Sequence, residues 1–136
     1  MSAPIWVPLR AIILIHDRQI ARHGGTAGLQ DLHRLERAVA RVHGSFAAGA
    51  TGLCDSAAAY ANSIAKARAF KAGNRRTGFV TAATFLRLNG LGLRPDPFGG
   101  LKAMGDLAAG LLSEEGFSAW LGARAAPLGQ PRAARF

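Results

Sequence analysis

One stretch constrains the fold of this chain more than any other: residues 66–79, KARAFKAGNRRTGF. An alanine-rich run ends in it and an apolar run leaves it, and both are spaced for helix. Between them Gly73 and Asn74 break the backbone. Helix, tight turn, helix is the expected result. The first turn of a helix carries N–H groups without partners and the positive end of the macrodipole, so anions settle there. Gly73 can take a positive φ and let a ligand approach the backbone. Asn74 is the expected N-cap. Arg75 and Arg76, followed by Thr77, add fixed positive charge in a fork suited to phosphate oxygens. Taken alone, these residues leave open an ordinary turn with both arginines in solvent, because the pattern is short.

The rest of the chain reads as helix around this turn. Residues 9–22 place Ile12, Ile13, Leu14, Ile20 and Ala21 at amphipathic spacing and stop at Gly24-Gly25. Residues 31–41 turn Leu32, Leu35, Ala38 and Val39 inward. A glycine-rich connection, 44–52, leads to a helix over 57–67 capped by Asp55 or Ser56. The run 77–89 is the most apolar and is expected at the centre of the bundle, ending at Asn89-Gly90. A loop with Pro95 and Pro97 follows. Helices are expected over 101–112 and 113–121, the second started by Ser113, Glu114 and Glu115. Trp6 is expected over the edge of the fold and Trp120 inside it. Strand alternation and internal repeats are not evident. The reading is an all-α bundle of about six helices, with the 66–79 loop between a central helix pair. It forms one domain over 1–122 and leaves a flexible Pro-, Arg- and Ala-rich tail over 123–136.

Composition narrows the function. At 136 residues and 49% hydrophobic, the chain has length for one core. No apolar run reaches the roughly 18 residues of a membrane span, and no signal segment is recognisable, so a cytoplasmic protein is expected. A single cysteine, Cys54, cannot form an internal disulfide. His16 and His23 have no third ligand nearby and read as structural or solvated rather than metal-binding. The net charge is +9, carried by 17 Lys and Arg against 8 Asp and Glu. That balance calls for an anionic partner. The basic residues look scattered along the chain without interleaved aromatics, which favours an acidic protein over direct nucleic-acid binding.

The loop resembles the signature of the Fic/Doc family, and more closely its Doc (death-on-curing) toxin branch, H-x-F-x-D-G-N-K-R-T. Phe70, Gly73, Asn74, Arg76 and Thr77 match, and Arg75 stands in for the lysine. IHDRQIARHGG, GLQDLHRLERAVAR, AAAYANSIAKA, TAATFLRLNGL and LAAGLLSEEGFSAWL resemble the family's successive segments, so that 6–122 is covered in order. The resemblance implies a Fic/Doc-like helical bundle, with Phe70 as the buried anchor of the loop and residues 73–77 holding nucleotide phosphates. It further implies ATP and Mg²⁺, transfer of a phosphoryl or nucleotidyl group to a hydroxyl of a translation factor (elongation factor Tu), and a separate antitoxin. A built-in inhibitory helix of the form [S/T]-x-x-x-E-[G/N] is not expected, since Leu111 occupies the hydroxyl position before Glu115-Gly116.

Two departures qualify this picture. Arg68 stands at the family's histidine and Ala72 at its acidic residue. The histidine is the implied general base and the carboxylate the implied Mg²⁺ ligand. Arginine cannot accept a proton at neutral pH, and alanine offers no oxygen to a hard cation. The expectation is therefore a loop that binds phosphate, with doubtful Mg²⁺ binding and impaired transfer. The alternative is a natural, catalytically inactive relative serving as a nucleotide-, phosphate- or protein-binding module.

Overall fold

The computed structural model describes residues 3–129. They form six helices: α1 (Leu9–His23), α2 (Leu32–Ala47), α3 (Leu53–Ala67), α4 (Asn74–Leu88), α5 (Pro97–Ala109) and α6 (Glu114–Arg124). Two short strands, β1 (Leu91–Leu93) and β2 (Ala125–Pro127), pair antiparallel. The fold is an all-α bundle with a small β closure.

The centre is α3, not α4. Residues 56–65 of α3 are buried without a break. Five of them are alanines, which let neighbouring helices approach on every side. Apolar content led the sequence reading to α4, but α4 buries one stripe: Thr77, Gly78, Thr81, Ala82, Phe85 and Leu86. At the crossing of the two, a Cβ on Gly78 would stand 2.8 Å from the Ala61 carbonyl oxygen. Only glycine allows the two backbones to come this close.

Polar pins fix the periphery. The Tyr60 hydroxyl accepts the Val7 N–H at 3.0 Å, which holds the N-terminal lead against α3. Burial pushes the Tyr60 phenol up from its ordinary pKa. Asn89 holds the same lead: its Oδ1 accepts from Ile5 N at 2.8 Å and its Nδ2 donates to Ile5 O at 2.9 Å. Trp6 lies over His43, Phe46 and Phe85 at 4.5–5.6 Å between ring centres. Trp120 stacks on Phe117 and carries the Arg124 guanidinium 4.1 Å above its own ring.

Several boundaries move from their expected places. Helix α2 runs through Gly44 to Ala47, so the connection before α3 is only 48–52. Glycine costs a helix interior about 1 kcal/mol, and the packing of Val42 and Phe46 offsets it. Helix α3 starts at Leu53 with Gly52 as N-cap, ahead of both expected caps. Helix α5 starts at Pro97, where Asp96 accepts from Gly99 N at 2.9 Å; proline at the first helical position loses no bond. Ser113 caps α6 as read, accepting from Gly116 N at 2.9 Å. The expected loop after Gly90 contains β1, and residues 123–127 complete α6 and form β2. No period-2 signal marks strands of three residues. Residues 130–136, the remainder of the expected flexible tail, lie outside those described.

Candidate functional site

The loop between α3 and α4 begins where α3 ends in a left-handed residue. That residue is Arg68, at φ 51°, the one non-glycine with positive φ among the described residues. The turn continues through Phe70 to Gly73, at φ 76°, which is the N-cap of α4. The positive φ favours glycine here; a Cβ would also sit tightly at 3.2 Å from Ile20 Cδ1 and in ordinary contact with the His16 ring at 3.7 Å.

Three sets of contacts fix the loop. From the α1–α2 connection, Gln30 N and Asp31 N donate to Ala69 O at 2.7 and 3.0 Å. Lys71 N donates back to Gly28 O at 3.1 Å, and Leu29 and Phe70 form a β-bridge. Across the turn, Asn74 clamps Phe70: Oδ1 accepts the Phe70 N–H at 3.1 Å and Nδ2 donates to Phe70 O at 2.9 Å. From beneath, the His16 ring stacks on Phe70 at 3.8 Å between centroids, and its Nε2 donates to Ala72 O at 2.7 Å. The carbonyl fixes the tautomer, leaving Nδ1 a buried acceptor without a hydrogen-bond donor.

The expected N-cap role of Asn74 is therefore corrected. Its side chain is used inside the turn, and Gly73 caps the helix without a side-chain bond. The N–H groups of Asn74, Arg75 and Arg76 consequently find no backbone acceptor. All three residues line a cavity of about 940 Å³. Six cations surround it: Arg34, Lys66, Arg68, Lys71, Arg75 and Arg76. Among the described residues lining it there is no carboxylate and no imidazole. Arg34 has a partner, Asp31 at 3.4 Å; the other five have no acidic partner among the described residues. Such a concentration of one sign in a concave surface raises the local potential and draws anions in.

The positions singled out in the sequence separate here. Arg68, Phe70, Ala72, Gly73, Asn74, Arg75 and Arg76 all reach the cavity wall. Thr77 does not: it is fully buried, and its hydroxyl has no partner. Phe70 is 1% exposed, held between His16 and the bundle. Sequence reasoning missed Gln30, Arg34, Lys66 and Lys71 as wall residues, and His16 as a support. His16 falls four residues after Ile12 on the inward stripe, a spacing that could have revealed it. Arg34 carries no such signal, because only the return of the α1–α2 connection brings it to the loop.

A divalent cation does not fit this donor set. Hard cations need several oxygens, and among the described residues the only side-chain oxygens on the wall are the amides of Gln30 and Asn74. The Asn74 oxygen is already taken by Phe70. Six cations nearby further oppose the binding of a positive ion.

Comparison with known proteins agrees with this architecture. The model of the Fic/DOC family matches residues 6–86. A relative named protein kinase doc, from Escherichia phage P1, is 32% identical over 105 residues, covering 76% of this chain and 79% of its own. A bundle that presents a loop at the mouth of α4, a family match across most of that bundle and a relative aligned over three quarters of the chain lead to one conclusion: this chain belongs to the Fic/DOC family.

Proposed function

We propose that the chain is a Doc-type toxin of a toxin–antitoxin pair whose loop grips the phosphates of ATP while transferring a phosphoryl or nucleotidyl group poorly. One observation carries the phosphate reading: the three first-turn residues whose N–H groups lack a backbone acceptor line a cavity with six cations and, among the described residues, no acidic wall residue. Family membership and the kinase-named relative support the lineage. By likeness, the target is a hydroxyl of a translation factor, elongation factor Tu, and a separate antitoxin neutralises the chain.

Transfer to a hydroxyl needs a group that can take its proton, typically worth about 10²–10⁴ in rate. Arg68 cannot supply it; His16 is buried beneath the loop with Nε2 engaged, and His23 lines a neighbouring cavity with Arg75 and Arg76, so among the described residues the wall of the loop cavity itself holds no base. Developing phosphoryl charge is left to Arg75, Arg76 and the helix amides. That absence of a base favours a second reading, a natural inactive module that keeps phosphate or protein binding.

Expression in bacteria without antitoxin distinguishes the two. This chain is expected to leave growth unchanged, and the Arg68→His, Ala72→Asp double variant to arrest it. Arrest by neither supports the binding module. Arrest by both overturns the impairment. Titration with ATP in EDTA tests the grip separately, and no binding there overturns the phosphate reading.

A further inference from the structure

The scattered cations of the sequence are gathered in the fold. Beside the loop cavity lies a second, of about 580 Å³, between α2 and the end of α3. Its cations are Arg34, Arg37, Arg41, Lys66 and Arg68, and no carboxylate lines it among the described residues. Arg34, Lys66 and Arg68 belong to both cavities, so the two adjoin. Residues 34, 37 and 41 sit on one face of α2 and extend the charge about 10 Å along its axis. Arg37, Lys66 and Arg68 are exposed and have no acidic partner among the described residues.

We propose that this groove is a docking site for an acidic segment of a partner protein, whose carboxylates pair with Arg37, Lys66 and Arg68 and whose end reaches the loop. The chain itself supplies the precedent for the anion. At the far end of the groove, Glu114 Oε1 accepts from Arg41 Nη1 at 2.8 Å and from Asn62 Nδ2 at 2.9 Å. A carboxylate thus already occupies the last position of the row, and the remaining positions offer further cationic donors to the same kind of group. A single-stranded nucleic acid fits less well, because its affinity depends on aromatic platforms. The second cavity has no aromatic wall residue among those described, and the one aromatic of the first, Phe70, is buried under His16.

The test is fluorescence anisotropy with a labelled dodecapeptide of alternating Glu and Ser, using the full chain at low salt. Arg37→Glu is the informative variant: Arg37 is exposed and lines only the second cavity. The peptide is expected to bind the unaltered chain, to weaken about tenfold or more in Arg37→Glu and to lose affinity with added salt. ATP affinity in EDTA is expected to fall less than peptide affinity in the same variant, since Arg37 does not line the loop cavity. An RNA dodecamer of mixed sequence, run in parallel, is expected to bind more weakly than the peptide. No binding of the peptide, equal binding by Arg37→Glu, or tighter binding of the RNA overturns the proposal. Loss of ATP binding with peptide binding intact overturns the phosphate reading and leaves this one standing.

Discussion

His16 is the residue whose removal tests the loop most directly. Its ring makes two separable contributions. The Nε2–H to Ala72 O bond, 2.7 Å long, joins a buried imidazole to a half-buried carbonyl; its loss leaves the carbonyl without this donor, at a cost of about 1–3 kcal/mol. The face-to-face contact with Phe70, 3.8 Å apart and 9° from parallel, is worth about 0.5–1.5 kcal/mol. His16→Ala removes both and is expected to cost about 2–4 kcal/mol in urea unfolding. His16→Phe keeps the stack and loses the bond, with an expected cost of about 1–3 kcal/mol. Both free the Ala72 carbonyl, so the 72–73 peptide can turn and carry the first amides of α4 off the cavity. ATP affinity in EDTA should therefore fall in both variants, at temperatures where each remains folded. If both variants unfold within about 0.5 kcal/mol of the parent, inside the scatter of ordinary surface changes, and bind ATP equally well, His16 supports nothing and the argument fails.

Further expectations concern other contacts. Asn74→Ala breaks both bonds to the Phe70 backbone; a loss of about 2–3 kcal/mol in urea unfolding and weaker ATP binding are expected. Gly78→Ala sets a methyl 2.8 Å from the Ala61 carbonyl; overpacking of this kind costs about 1–3 kcal/mol, read as a lower melting temperature. The Asp96 carboxylate is held below its ordinary pKa of 3.8 by the Gly99 N–H and then by Arg124. A depressed folded pKa gives stability that is present above the unfolded value and lost as pH falls through the folded one. The gap between the parent and Asp96→Asn should therefore be open at neutral pH and close below pH 3.8, in denaturant titrations at both pH values. A gap that persists unchanged in acid would separate the stabilisation from the charge.

How far the sequence revealed this molecule depends on the range of the forces involved. Helix starts set by local chemistry, such as Ser113 before Glu114, were legible because the cap and its partner lie three residues apart. So was the turn at Gly73, where the positive φ favours one residue type. The use of Asn74 was misread, because the side chain had two local options and the tertiary position of Phe70 selected between them. The placement of α3 at the centre was missed because alanines score as weakly apolar yet pack closest. Charge clustering was invisible for a similar reason: Arg34 and Arg68 are far apart in the chain and share a wall only after α2 lies along α3.

The clasp of residues 28–31 on the loop has a consequence for dissecting this protein. The helical hairpin of α3 and α4 contains every residue of the family signature, yet it does not contain what shapes them. Ala69 is held by Gln30 and Asp31, and Ala72 by a histidine 56 positions earlier. An excised hairpin would carry the right letters in the wrong geometry.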